Sequence, residues 1–252
     1  MSGFQDHFAP QAPHYATFRP RYTPELIAAV AALVSGRDRC WDVGTGSGQA
    51  AILLAEHFAH VEATDASASQ IAHATPHPRV TYRVSQAEHA SLADASVDLV
   101  TVAQALHWFD LPAFYREVAR VTVDGGALAA WSYGMLEVEP KIDAVVWWFY
   151  EERLGRYWPE ERRHVEAGYS TLAFPFERLA LHVPALEVPL DRDGLTGFIS
   201  TWSALKRARE QEGADPLLEF IERLDPAWPT ARETRLVRWP MVLLAGRVHP
   251  TR

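Results

Sequence analysis

Asp42-Val43-Gly44-Thr45-Gly46-Ser47-Gly48 sets three glycines at alternate positions directly behind an acidic residue. A short apolar run, 39–43, precedes this stretch, and an Ala/Leu-rich run, 49–58, follows it. A strand, a glycine turn and a helix start form a corner suited to a nucleotide-like ligand. Glycine lets the ligand approach the backbone, and the helix start offers N–H groups that lack intrahelical partners. The Asp42 carboxylate, at the end of the strand, is a candidate acceptor for an amino group of that ligand, directly or through water. Dinucleotide sites favour G-x-G-x-x-G, whereas the pattern here is acidic-x-G-x-G-x-G. Asp65 then ends the next apolar run, roughly twenty residues on, the spacing at which such folds place an acid against ribose hydroxyls. Asp65 and the adjacent Ala66 are therefore candidate ligand contacts.

The loop Ala103-Gln104-Ala105-Leu106-His107-Trp108-Phe109-Asp110 carries the one imidazole placed to take a proton from, or donate a hydrogen bond to, a second ligand. Tyr22, His107, Trp108, Trp131, Tyr133 and Trp202 are candidates for the wall of that ligand's pocket, since aromatic faces also attract positive charge. Arg207 or Arg209, near Trp202 in the chain, is a candidate cation for an anionic ligand. His57-Phe58-Ala59-His60 lacks the H-E-x-x-H pattern, so no metal is expected. There is no G-x-x-x-x-G-K-[ST] and no G-x-S-x-G.

These residues need a scaffold of alternating elements. Thr23-Pro24 opens a helix over 24–35, with Gly36 as its C′ residue. Strands are expected at 39–43, 61–65, 80–84, 97–103 and 127–133, with helices at 49–58, 67–74 and 111–121 between them. Such alternation predicts a parallel, doubly wound sheet with its ligand outside the carboxyl ends of the strands. After Tyr133 the chain turns aromatic and charged. It reads as mostly helical, with strand-like pieces near 178–183 and 186–190 and a final strand-like run over 236–246.

The 252 residues suffice for one large domain, and the formal net charge of −8 argues against a nucleic-acid or anionic-membrane surface. Cys40 is the sole cysteine, so no internal disulfide is expected. Neither a signal-peptide pattern at the start nor a run of about 20 apolar residues is present. A cytoplasmic protein is the expectation.

The glycine stretch resembles motif I of the class I S-adenosylmethionine (SAM) methyltransferases. Ser85-Gln86-Ala87-Glu88 is similar to that family's G-D-A-E-type adenine segment, with Gln86 standing where an acid is usual. The stretch 92–100 resembles the family's LPF-DxSFDLV segment. His107-Trp108-Phe109 resembles the HWF loop of small-molecule methyltransferases similar to trans-aconitate methyltransferase. Tyr15-Ala16-Thr17-Phe18-Arg19-Pro20-Arg21-Tyr22 resembles the same subgroup's Y-x-x-(F/Y)-R-P-x-Y segment. No (N/D)-P-P-(Y/F) motif occurs.

The resemblance covers roughly 4–135 and implies a Rossmann-like seven-stranded α/β sheet, mostly parallel, with an antiparallel last strand and helical cap insertions. It implies a SAM-binding core with an N-terminal lid over 1–135, a cap over 136–234, and a final core strand and tail over 235–252. SAM would contact Tyr15, Arg19, Asp42, Gly44, Thr45, Gly46, Gly48, Asp65, Ala66, Gln86, Ala87, Glu88, Ala103 and Gln104, leaving S-adenosylhomocysteine as product. Tyr15 and Arg19 would close over the methionine end. The implied reaction is methyl transfer to a small molecule, at oxygen, with a carboxylate as one candidate acceptor. Two alternatives stand beside it: a non-catalytic SAM-binding protein, and a nicotinamide-dependent reductase. The latter needs Y-x-x-x-K, and neither Lys141 nor Lys206 has a tyrosine four positions earlier.

Overall fold

A computed structural model describes residues 18–249. Its main sheet has seven strands: β1 (Arg39–Val43), β2 (His60–Asp65), β3 (Val80–Val84), β4 (Val97–Ala103), β5 (Thr122–Tyr133), β6 (Glu177–Arg178) and β9 (Met241–Arg247), in the order β3-β2-β1-β4-β5-β9-β6. β1 to β5 run parallel, and β9 runs antiparallel to both β5 and β6. This is the Rossmann-like sheet expected from the alternation. β7 (Leu186–Leu190) and β8 (Arg235–Trp239) form a separate antiparallel pair.

Helices α1 (Pro24–Ala31), α2 (Gln49–Leu54), α3 (Ala68–Ala72) and α4 (Leu111–Val121) surround the first five strands. Local chemistry sets their starts. The Thr23 hydroxyl accepts from Leu26 N–H, Ser67 from Gln70 N–H, and the Asp110 carboxylate from Ala113 N–H. Helix α4 buries Phe114, Tyr115, Val118 and Val121, an i, i+1, i+4, i+7 stripe. They join Trp41, Val43, Val100 and Val102 on one sheet face, while Leu26, Ile27, Val30 and Leu54 cover the other. The central strands β1, β4 and β5 are thus buried on both faces, as parallel strands generally are, while the edge strand β3 is largely exposed.

Between β5 and β9 lie α5 (Pro140–Trp147), α6 (Arg162–Glu166), α7 (Arg192–Ser200), α8 (Ser203–Glu212) and α9 (Leu217–Ala227). Ile142, Val146, Phe149, Trp202, Phe220 and Trp239 belong to a hydrophobic cluster of their own there.

Several boundaries differ from the sequence reading. The expected strand over 236–246 is two strands broken at Pro240, which has no N–H for a ladder; its carbonyl accepts from Gly134 N–H at 2.8 Å. Only Glu177–Arg178 pairs as a strand in the 178–183 region, with one further bond from Leu179 N–H to the Ala245 carbonyl. β5 begins at Thr122 rather than at 127, with a register shift opposite Val97–Leu99. The first two helices end at Ala31 and Leu54, short of the expected 35 and 58. Gly36 is not a left-handed cap. A Cβ there would lie 2.0 Å from Asp98 Oδ1, because that carboxylate folds over the turn to accept from Asp38 and Arg39 N–H.

Candidate active site

The glycine turn leaves β1 with Gly44, Gly46 and Gly48 at φ of +66°, +57° and +87°, a region L side chains rarely adopt. A Cβ on Gly44 would come within 2.6 Å of the Ala105 Cβ. On Gly46 it would meet only Gln70 Oε1, at 3.7 Å, so the backbone there stands open. Gly46 N–H donates to Asp65 Oδ2 at 2.8 Å, and Ser67 N–H donates to Oδ1 at 2.8 Å. The second acid therefore braces the turn.

Asp42 does not serve the site as expected. It is fully buried, with the Thr45 hydroxyl donating to one oxygen at 2.6 Å and the Thr101 hydroxyl to the other at 2.7 Å. Burial pushes its pKa up to about 6, against the pull of both hydroxyls. It supports the turn from beneath and does not line the cavity above. Gly48 likewise lies off the cavity: a Cβ there would strike the Tyr82 hydroxyl at 2.2 Å.

Above the turn opens a cavity of about 960 Å³ at the carboxyl ends of β1, β2, β4 and β5. Gly44, Thr45, Gly46, Asp65 and Ala66 form one side. Gln86, Ala87 and Glu88 form a second, and Ala103 and Gln104 the floor near β4. Arg19, Tyr22, Trp108 and Tyr133 close the far end. Arg19 Nη1 donates to the Tyr133 hydroxyl at 2.7 Å, and the guanidinium sits 5.2 Å from the Phe198 ring centre. Glu88 is tied back by Asp110 N–H, which donates to Oε1 at 2.9 Å. Tyr15 lies outside the described residues.

A smaller chamber of about 80 Å³ adjoins the cavity and shares Arg19, Gln104, Trp108, Tyr133, Trp158 and Pro159 with it. His107 and Trp202 line this chamber, not the larger space. His107 Nδ1 is 3.3 Å from the Tyr169 hydroxyl. Burial first, then Arg162 and His164, push its pKa down to about 3, so the ring is neutral at neutral pH. Gln104 has φ +59°, its Oε1 accepts from the Ser132 hydroxyl at 2.8 Å, and its buried Nε2 has no hydrogen-bond partner among the described residues. The left-handed backbone and the unpartnered buried donor fall on a residue that lines both spaces.

Trp131 lines neither space. It is fully buried in the sheet and meets Tyr22 edge-on, with ring centres 5.6 Å apart. Two residues nearer the sheet centre than Tyr133, it supports the wall from behind. Arg209 also lies elsewhere, bound to Asp215 through two 2.8 Å hydrogen bonds. Arg207 does line the large cavity.

A methyltransferase-domain family model matches residues 41–130. A methyltransferase-family protein of Dictyostelium discoideum is 36% identical over 231 residues, covering 90% of this chain and 88% of that protein. The chain belongs to the SAM-dependent methyltransferases. A structure of a type II methyltransferase-family protein of Anaeromyxobacter dehalogenans is 45% identical and superposes with a TM-score of 0.85 over 93% of this chain and all of that one. Phosphoethanolamine N-methyltransferase 2 of Haemonchus contortus, solved with phosphomonomethylethanolamine and S-adenosylhomocysteine, shares the fold alone: TM-score 0.52, 16% identity, covering 100% of this chain and 61% of that one.

SAM is the methyltransferase's cofactor. The residues present fit it. The open backbone at Gly46 and the Asp65 carboxylate at a strand end suit a sugar, and the cavity has the volume of a small-molecule cleft. Arg162, Lys206, Trp158 and Phe198, which also line the small chamber, escaped the sequence reading. None sits in a motif, and only Trp158 belonged to a noticeable aromatic cluster.

Proposed function

We propose that this methyltransferase acts on an oxygen of a small molecule, a carboxylate in particular, with SAM in the large cavity and the acceptor reaching it from the small chamber. One observation carries the reading: Arg19, Gln104, Trp108, Tyr133, Trp158 and Pro159 border both spaces, so a ligand in one would lie against a ligand in the other. Asp65 and Ala66 would hold the ribose, Gln86, Ala87 and Glu88 the adenine, and Gly44, Thr45 and Gly46 the underside of the cofactor. Arg19, with Tyr15 by resemblance, would clamp the methionine carboxylate. Ala103 and Gln104 would lie beside the sulfur. When bound, SAM supplies an electrophilic methyl group.

The chain's own residues then align and desolvate the acceptor. Tyr22, Trp108, Tyr133 and Trp202 wall it off from water, which strengthens every polar contact inside. Neutral His107 acts as an orienting hydrogen-bond partner, because a ring with a pKa near 3 is too weak a base to deprotonate an alcohol. A carboxylate needs no base, being already ionised at neutral pH, and this favours it as acceptor. It also agrees with the resemblance to the trans-aconitate methyltransferase-like subgroup. A cytoplasmic setting, without nucleic-acid or membrane partners, fits the single cysteine and the acidic charge balance.

Calorimetry with S-adenosylhomocysteine, followed by transfer of label from methyl-labelled SAM into a panel of small acids and alcohols, tests the reading. Base-labile label in the acids, released as methanol, is expected. Label stable to base overturns the carboxylate reading, and binding without transfer to any acceptor leaves a SAM-binding scaffold.

A further inference from the structure

Gln104, just past the end of β4, and Tyr169, in the turn after α6, share a backbone conformation that residues with side chains rarely adopt. Both have φ of +59°, and among the described residues Ala95 is the one other non-glycine with positive φ. Such a conformation persists where its surroundings hold it. Tyr169 N–H donates to the His164 carbonyl and Gln104 N–H to the Trp131 carbonyl, both at 2.8 Å. Between the two side chains stands Ser132 of β5, which is buried, as is Tyr169. The Ser132 hydroxyl donates to Gln104 Oε1 at 2.8 Å and is also hydrogen-bonded to the Tyr169 hydroxyl. The Tyr169 hydroxyl in turn lies 3.3 Å from His107 Nδ1. Four residues from four segments thus form one line: His107, Tyr169, Ser132, Gln104.

A hydroxyl has one hydrogen to give, and this sets the direction of the line. Ser132 gives its hydrogen to Gln104, so from Tyr169 it can only accept. Burial pushes the Tyr169 phenol well above its usual range, so it keeps its hydrogen at neutral pH and gives it to Ser132. From His107 it can then only accept. His107 is neutral and holds one ring hydrogen, which must therefore sit on Nδ1, leaving Nε2 with a lone pair. At the other end Gln104 commits its oxygen to Ser132, and its buried Nε2 has no partner among the described residues. Gln104 lines both spaces, and His107 lines the small chamber. A buried donor left unmet costs free energy in the empty site, and a ligand oxygen removes that cost.

We propose that Tyr169 and Ser132 are positioning residues of the site, a one-way hydrogen-bond line that fixes His107 with its hydrogen on Nδ1 and Gln104 with its amide N–H groups turned to the boundary of the two spaces. A ligand then meets an acceptor nitrogen at His107 and a donor at Gln104. It is selected for the converse pattern: a hydrogen-bearing group toward His107 and an oxygen toward Gln104. Neither Tyr169 nor Ser132 lines either space, so both act through the residues they hold. The ligand's part rests on the methyltransferase reading of the two spaces; the hydrogen-bond line stands without it.

The test reads the ring tautomer of His107 by long-range proton–nitrogen NMR on the isotopically labelled full chain at neutral pH, without ligand. The His107 signal is the one lost in H107Q. Wild type is expected to carry the hydrogen on Nδ1. S132A removes the acceptor of the Tyr169 hydrogen, so the phenol turns to donate to Nδ1 and the ring hydrogen shifts to Nε2. Q104L should cause the same shift from one residue further away. Q104E, whose carboxylate still accepts from Ser132, should keep the wild-type tautomer. On a Y169F background, adding Q104L should leave the His107 signal unchanged. A cooperative urea transition reports that each variant folds. A wild-type ring with its hydrogen on Nε2, or with hydrogens on both nitrogens, overturns the line, and that measurement needs no folded variant. A ring that keeps its hydrogen on Nδ1 in S132A or Q104L also overturns it, since a merely structural Tyr169 would behave so. Failure of the wild-type chain to bind S-adenosylhomocysteine is a separate result: it removes the methyltransferase reading of the two spaces and leaves the tautomer result intact.

Discussion

Arg19 and Tyr133, 114 positions apart, are joined by a hydrogen bond from the guanidinium to the phenol at 2.7 Å. The bond ties the segment before α1 to the end of β5 where the two cavities meet. Arg19 is also steadied by the Phe198 ring of α7, so the sheet and the cap share one anchor.

Replacing Tyr133 by Phe removes that acceptor and keeps the ring. A hydrogen bond to a charged group contributes about 1.5–3 kcal/mol, and part of it is regained from water at this half-open site. Affinity for S-adenosylhomocysteine is therefore expected to fall about three- to tenfold by calorimetry, with the unfolding midpoint shifted little. An affinity equal to wild type would show that Arg19 is held by its other contacts.

Gly44 and Gly46 have similar φ but different neighbours, which separates two causes of glycine preference. Gly46→Ala is expected to cost only the left-handed backbone term, roughly 1–2 kcal/mol. Gly44→Ala adds an overlap with Ala105 and should cost more, by about 1–3 kcal/mol, in denaturant melts. Equal losses would mean that the Ala105 loop yields without strain.

The buried Asp42 binds its proton more tightly folded than unfolded, since its pKa rises from 3.8 to about 6. Its contribution to stability is therefore fully present below pH 3.8 and is lost as pH rises through about 6. Asp42→Asn should remove this trend. Comparing wild type and variant in urea at pH 4.5 and pH 7.5, the variant is expected to gain on wild type at the higher pH by on the order of 2 kcal/mol. No relative change between the two pH values would contradict the buried, ionising carboxylate.

His107 has the opposite sign. Its folded pKa is depressed to about 3, so its contribution is present above 6.5 and is lost as pH falls toward 3. No imidazole titration from this residue is expected in the turnover profile between pH 6 and 8. His107→Gln, which keeps a hydrogen-bonding side chain, should alter KM for the acceptor several-fold and leave the shape of the pH profile unchanged. A wild-type profile with a limb near pH 6.5 that vanishes in the variant would assign His107 as a base.

Much of the large cavity's lining was legible because its residues are neighbours in sequence. The glycine turn, Asp65 and the 86–88 segment each follow a strand by a few positions, and parallel strands bring their carboxyl ends together. Their types and spacing already imply where they meet. Orientation was less legible. β1 and β5 are buried on both faces, so no hydrophobic alternation tells which way Asp42 or Trp131 points, and both turned inward.

The sequence by itself determined the alternating α/β sheet, the glycine corner and its braced acid, because each depends on contacts within or between adjacent elements. Only the tertiary structure decided the small chamber. Arg19, Gln104, Arg162 and Lys206 come from four distant segments, and packing between the cap and the sheet end brings them to one space. No local pattern marks such residues. Their relation is one of distance and charge in the folded chain, and so is the pairing of Arg19 with Tyr133.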